Sequence, residues 1–468
     1  MASHIVSLAA SAGLCLLLAL VVALLAIILY ILGVVASFAV FCVKEFAQRA
    51  QDRPPLIGTM LRQLKNFHRI FDEHVEYAQV HRTCRLLYPG HSEFFTSDPA
   101  VIEHVLKTNF SKYSKGDFNI GVMKDLFGDG IFATDGENWK HQRKLASHEF
   151  STRVLREFSS VVFRTNASKL ADKISAAAAN GNTINMQLKR YFNIGSEAKL
   201  KRNIRIMDDF VMKLIHQKRE QMDGPDDKDK EDIISRFIIA SQKDPETMNN
   251  HYLRDIVLNF LIAGKDTTAN TLSWLFYMLC KNPIVQEKVA LEIKDSVEWT
   301  KADNRAEDFT SRLNEGAIDK MQYLHATISE TLRLYPAVPV DGKMADEDDV
   351  LPNGYKVVKG DGINYMIYAM GRMTYLWGED TEEFRPERWL VNGVFQQESP
   401  YKFVSFNAGP RICLGKEFAY RQMKIIAATL IHLFRFKLAD EFKDPTYKTM
   451  FTLHIDNGLH LCAYPHSA

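Results

Sequence analysis

From Ile5 to Val43 the chain has no charged side chain, a run of 39 positions. One helix needs about 20 residues to cross a hydrocarbon core, so the run predicts a membrane-spanning anchor over 1–43. A secretory signal would begin with basic residues and stop after a far shorter apolar stretch. Lys44, Arg49 and Arg53 follow the run and no Lys or Arg precedes it, which places the rest of the chain on the cytosolic side of the membrane. Asp52-Arg-Pro-Pro-Leu-Ile-Gly58 cannot continue a helix, so 44–58 reads as a linker and 59–468 as the globular body.

Beyond the linker the pattern is mostly helical. Between Ser196 and Glu220 the apolar positions Leu200, Ile204, Met207, Val211, Leu214 and Ile215 keep helical spacing. The charged run from Lys218 to Asp232, with Gly224-Pro225 inside it, predicts a solvated loop. Met248 to Cys280 predicts a long buried helix that must end before Pro283. Extended segments come late: Asp349 to Val358 pivots on Asn353-Gly354, and Phe451 to Cys462 pivots on Asn457-Gly458, two hairpin signals. The class is mainly α with small β-sheets, and the chain holds no internal repeat.

Composition changes this picture little. A net charge of +1 gives no field to draw nucleic acid, and no nucleic-acid partner is expected. The six cysteines, at 15, 42, 84, 280, 413 and 462, contain no CxxC pair, which fits a reducing compartment. Cys84, Cys280 and Cys462 read as small buried hydrophobes.

Cys413 has different neighbours, in Phe406-Asn-Ala-Gly-Pro-Arg-Ile-Cys-Leu-Gly415. A thiolate is a strong iron ligand provided it is held deprotonated and a flat ligand can reach it. Gly409 and Gly415 allow close backbone approach, backbone N–H groups can stabilise the sulfur, and Arg411 can pair with a carboxylate of the same ligand. A lone Cys-x-Gly would read as a structural cysteine in a turn; the ten-residue pattern is far more demanding. Glu330 and Arg333 stand i,i+3 on one helix face and can pair. Trp139 and Arg143 stand i,i+4, spaced for an aromatic ring on a guanidinium. Gly264 costs a helix about 1 kcal/mol relative to alanine, so the space beside it is wanted. Thr267 can bond back to the Ala263 carbonyl, with Asp266 beside it as a proton source. Lys343 follows the apolar turn Val338-Pro339-Val340 and is another candidate carboxylate partner.

FNAGPRICLG resembles the haem-binding signature of the cytochrome P450 superfamily. Glu330-Thr-Leu-Arg333, Phe384-Arg-Pro-Glu-Arg388, Ala263-Gly-Lys-Asp-Thr-Thr268 and Trp139-Lys-His-Gln-Arg143 match its other motifs in the expected order. The resemblance implies a P450 fold behind an N-terminal transmembrane helix and haem b as cofactor, with Cys413 as the metal ligand. It assigns Trp139, Arg143, Lys343, Phe406, Gly409, Arg411 and Gly415 to cofactor binding, Asp266 and Thr267 to catalysis, and Glu330, Arg333 and Arg388 to a structural network. It implies a monooxygenase fed with electrons from NADPH by a cytochrome P450 reductase at the endoplasmic reticulum membrane, its catalytic domain facing the cytosol. The segments around Tyr335 and Trp377 are most similar to plant fatty-acid ω-hydroxylases, in particular the family numbered 704, which implies a long-chain fatty acid or related lipid as substrate. By motif position Phe260, Ala263, Val338, Val340 and Phe451 line the pocket. Two rivals stay open: a haem-binding protein without monooxygenase activity, which would share Cys413 and Arg411, and a peroxide-rearranging member of the superfamily, against which Asp266-Thr267 argues.

Arg143 and Ala263 are only 120 positions apart, fewer than the superfamily usually has between these motifs. The shortfall falls near 187–188, between Ala176 to Gln187 and Leu188 to Asn203. The resemblance assigns a bundle helix and part of the substrate roof to that place. Two outcomes are open: a shortened variant that binds haem with impaired retention and turnover, or repacking of Leu188 to Glu220 over the gap.

Overall fold

The structure, a computed structural model, describes residues 2–47, 62–88, 91–150, 159–179, 184–185, 197–222, 232–297 and 305–466. The first helix runs Ala2–Ala47, four residues past the uncharged run. Within it Leu17–Ser37 has a mean hydropathy of 3.2 and is wholly unburied, so the helix is long and apolar enough to cross a membrane. The linker expected over 44–58 lies outside the described residues from 48 onward, as does the junction at 187–188.

The body is built around a central helix, Asn250–Lys281. It starts where Asn249 accepts hydrogen bonds from the backbone N–H groups of His251 and Tyr252 at 3.0 and 3.1 Å. It stops before Pro283, which opens the next helix, Pro283–Ser296. Its C-terminal half is buried from Thr271 to Leu279 and packs with helices Ser160–Ala179, Gln322–Leu334 and Lys416–Leu433 into the largest apolar core. The 322–334 helix is capped from outside its own sequence: the Glu292 carboxylate accepts from the N–H groups of Tyr323 and Leu324 at 2.6 and 2.7 Å.

Beside this bundle lies a five-stranded sheet in the order 83–88, 91–96, 362–365, 341–345, 113–114. Lys343 faces Ile363 and Asp341 faces Tyr365 in its antiparallel register, which brings both charged residues to the body's interior. Glu197–Met222 is helical, as the periodicity predicts. The predicted loop from Lys218 begins later, because the helix continues through Met222; residues 223–231 lie outside the described residues, and Asp232 caps the next helix through Ser235 N–H.

Both Asn-Gly turns form, with Gly354 and Gly458 in the left-handed region. The first is a hairpin, Asp349–Val350 pairing with Lys356–Val357. The second is not. Strand His454–Ile455 pairs backward with Tyr447–Lys448, while His460–Pro465 pairs with Phe434–Leu438. A local turn signal sets the reversal of direction, but longer and more apolar partners win the strands that flank it. Cys84 is buried as expected, whereas Cys280 and Cys462 are only half-buried.

Candidate active site

The Cys413 loop is closed by its own backbone. Cys413 N–H donates to the Phe406 carbonyl at 2.8 Å, and Gly409–Arg411 forms a single 3-10 turn before helix Lys416–Leu433 begins. The Phe406 ring packs on Tyr420 with centroids 5.2 Å apart, fixing the loop to that helix. Gly409 has φ of +62°, and a Cβ there would stand 1.9 Å from the carbonyl oxygen of Leu106. Its missing side chain makes room for protein backbone. Gly415 lies against the Phe150 ring, 3.3 Å from where a Cβ would be.

Cys413 is the only exposed cysteine among those described, yet burial by surrounding protein pushes its thiol pKa up. Both hold for a residue that keeps accessible surface while lying deep among protein atoms. The Gly415 N–H and the nearby Arg143 and Lys416 charges act in the opposite direction and favour the thiolate.

Cations gather on one side of this sulfur. Arg143 donates to the Ile412 carbonyl at 2.7 Å. Trp139 is buried, with the Arg411 guanidinium 4.0 Å and that of Arg143 5.8 Å from its ring centroid. Phe110 packs on Trp139, centroids 6.0 Å apart, and carries the Lys343 ammonium 5.7 Å from its own ring. Arg411 donates to the Thr134 carbonyl at 3.1 Å and pairs with Asp135. Burial, with Lys115 and Arg411 close by, brings the Lys343 amine down to about 7. Lys343 Nζ and Arg411 Nε are buried with no hydrogen-bond partner. Asp341 accepts from Asn407 Nδ2 and Tyr365 OH at 2.9 Å each and lies 3.3 Å from Lys115 Nζ. Lys115, Lys343, Arg143 and Arg411 thus face two carboxylates, Asp135 and Asp341.

The middle of the central helix is left open. Residues 253–259 and 270–279 are buried, but Leu261, Gly264 and Lys265 are exposed, and no atom from elsewhere in the protein lies within 4 Å of a Cβ built at Gly264. Thr267 Oγ1 donates to the Ala263 carbonyl at 2.6 Å, the back-bond read from the sequence. Thr271 repeats it onto Thr267 at 2.8 Å. Asp266 sits beside Thr267, half-buried.

Behind the cysteine loop Glu330 and Arg333 form a fork of two 2.8 Å bonds, with neither side chain exposed. Arg388 Nε donates to Glu330 at 2.8 Å, and Trp389 Nε1 donates to it at 2.9 Å. Arg333 spends its remaining donors on the carbonyls of Thr381, Glu383 and Gly371. Every lone pair and N–H accounted for in this way offsets the desolvation of the charges.

The five candidate pocket residues are less alike. Phe260 packs among the phenylalanines at 150 and 237, at 6.3 and 6.4 Å. Val340 packs on the main core, and Val338 and Ala263 are half-buried. Phe451 is 59% exposed, its ring 6.0 Å from Phe127. Sequence reasoning missed Asp135, Asp341, Lys115, Phe110 and Trp389. Only Trp389 had a signal, its place directly after Arg388.

The Cytochrome P450 family pattern matches residues 164–462. The chain belongs to that family. It is 44% identical to cytochrome P450 704C1 of Pinus taeda, with 88% of this chain and 92% of the relative covered. Against cytochrome P450 704B1 of Arabidopsis thaliana identity is 38%, covering 89% and 95%. Cytochrome P450 94A1 of Vicia sativa is 34% identical, covering 86% and 88%. The first match spans 478 aligned positions; 88% of 468 residues is about 412, so about 66 of those positions have no residue in this chain. The same reckoning against 704B1, over 499 positions, leaves about 82.

A P450 is a monooxygenase carrying haem b, and microsomal members in general take electrons from NADPH through a reductase. The residues present fit that group. Haem b has two carboxylates, and the cation cluster has two charges beyond its own carboxylates and two buried N–H donor groups without partners. Cys413 is exposed, and the central helix has open space at Gly264.

Proposed function

We propose that this P450 hydroxylates a long-chain fatty acid or a related lipid, with Cys413 as the iron ligand. The observation that carries the site assignment is the exposed Cys413 beside the cluster of Arg143, Arg411 and Lys343 gathered on Trp139 and Phe110, together with the buried Glu330 network. Bound haem supplies oxygen activation, and its thiolate ligand favours O–O cleavage. The chain's own residues do the rest. Arg143, Arg411, Lys343 and the Trp139 indole would hold the propionates, while the Gly415 N–H steadies the sulfur's negative charge. Thr267, bonded to Ala263, opens the helix locally, so that Asp266 and Thr267 can pass protons to the oxygen-binding side. Phe260, Ala263 and Val338 would offer a hydrocarbon chain apolar contacts and no hydrogen bond, whereas Val340 packs into the main core and Phe451 lies largely exposed.

The uncharged N-terminal helix and the basic residues after it support anchoring in the endoplasmic reticulum membrane with the body in the cytosol, where an NADPH–cytochrome P450 reductase is the electron donor. Reconstitution with reductase, NADPH and a panel of fatty acids tests the reading, and hydroxylated product is the expected result. NADPH-independent rearrangement of a lipid hydroperoxide instead would replace it with the peroxide-processing alternative. Cys413→Ser should abolish the thiolate-type spectrum of the reduced carbon monoxide complex; its survival would overturn the ligand assignment.

A second reading is favoured by the aligned positions that this chain lacks. The helices flanking 187–188 expose apolar side chains in i,i+4 or adjacent pairs: Val161 and Val162 on one, Ile206 and Phe210 on the other, all half-exposed or more. In this reading the chain is a shortened variant that binds haem but turns over poorly, because part of the substrate roof is missing.

A further inference from the structure

We propose that Asp349 is a positioning residue for the Cys413 loop, acting through the segment 104–113. This rests on Cys413 being the iron ligand. Asp349 sits in the 349–357 hairpin with 8% of its side chain exposed. Its carboxylate accepts from Tyr113 OH and lies 2.8 Å from both that oxygen and His104 Nε2; Asn109 Nδ2 donates to it at 2.9 Å and Lys112 Nζ is 3.5 Å away. Burial alone would raise this carboxyl, but the bonds from Asn109, His104 and Tyr113 hold it well below the usual carboxylate range.

Those partners bracket a π-helical turn, His104–Thr108, closed by the Asn109 N–H on the His104 carbonyl at 2.8 Å. Such turns are rare and need outside support. Asn109 supplies it twice, with its backbone closing the turn and its side chain anchored on Asp349. In the middle of the turn is Leu106, whose carbonyl oxygen occupies the place a side chain on Gly409 would take. Gly409 in turn begins the 3-10 turn that leads to Cys413. The same segment carries Phe110 between Trp139 and Lys343. One carboxylate therefore fixes both the carbonyl against which the cysteine loop is keyed and the ring that separates two cofactor-side residues.

The test compares the full-length haem protein with Asp349→Ala, Asp349→Asn, Tyr113→Phe and Ile293→Ala. Ile293 is buried in helix Pro283–Ser296 and belongs to the main apolar core, which includes none of residues 104–113, so it reports on stability alone. The readouts are the rate of haem transfer to excess apomyoglobin, the thiolate-type fraction of the reduced carbon monoxide spectrum, and the denaturant midpoint. Asp349→Ala is expected to speed haem loss roughly tenfold and lower the thiolate-type fraction. Asp349→Asn and Tyr113→Phe should do so by smaller factors, and remain informative if the alanine variant fails to fold. Ile293→Ala should lower the midpoint with little change in either haem readout. The proposal is overturned if haem loss follows the midpoint identically in all variants, or is unchanged in Asp349→Asn and Tyr113→Phe. A parent protein without the thiolate-type spectrum would instead mean that the Cys413 assignment itself has failed.

Discussion

The two ends of the body treat polar and apolar surface in opposite ways. Around Glu330 three charged side chains are buried and almost all of their donors and acceptors are matched. Around the helices flanking 187–188, valine, isoleucine and phenylalanine side chains face outward. A region that satisfies buried charges this fully is sensitive to the loss of any one part, whereas apolar side chains that face outward leave room for a covering element. The proposed shortening falls on the second region and leaves the first, which would hold haem, with its partners in place.

The largest expected effect breaks the complete side. Glu330→Ala leaves Arg333 and Arg388 buried without their carboxylate and should cost about 3–5 kcal/mol. Expression yield and thermal midpoint check this, and the loss should exceed that of any exposed ion pair such as Lys140 with Glu137. Restoring the missing stretch from a 704-type relative sharpens the other side. Covering half-exposed valine, isoleucine and phenylalanine side chains should add about 1 kcal/mol apiece. The midpoint should rise, and product formation should rise with it; equal stability and turnover in both forms would show that residues 188–220 already cover the gap.

Thr267→Ala sits where the two regions meet. It should leave the haem spectrum intact and cut product per NADPH roughly tenfold as electrons leak to hydrogen peroxide. Coupling assays with peroxide detection check it. The smallest effect at neutral pH, because it develops only on acidification, lies far from both regions, at His74. Its imidazole is buried with neither nitrogen hydrogen-bonded, and burial lowers its pKa to about 4. Unfolded, it titrates near 6.5, so between these values the unfolded chain binds more protons and stability falls as pH drops through that window. His74→Phe should flatten the melting temperature between about pH 6.5 and 4 by removing at most ~3 kcal/mol of this dependence.

The parts legible from sequence were those set by local chemistry. The apolar run, the central helix with its stop at Pro283, the Thr267 back-bond and the Glu330–Arg333 pair all depend on residues within a few positions of one another. What escaped depends on distant partners. Asp341 reaches Asn407 across 66 positions and Asp135 reaches Arg411 across 276, and nothing near an isolated aspartate announces such a partner. Gly409 was legible as a needed glycine, but the group that needs its space, the Leu106 carbonyl, could be found only in three dimensions. The flanks of Asn457-Gly458 failed as a hairpin because pairing is decided by competing strands, not by the turn.

The central claim is that this chain holds haem through Cys413 although it lacks about 66 positions of its alignment with 704C1. Haem content per polypeptide and the reduced carbon monoxide spectrum of the purified, unaltered chain test it most directly. The account predicts a thiolate-type spectrum with haem approaching one per chain at purification. A folded protein that contains no haem, or one whose carbon monoxide complex lacks the thiolate-type absorption, would contradict it.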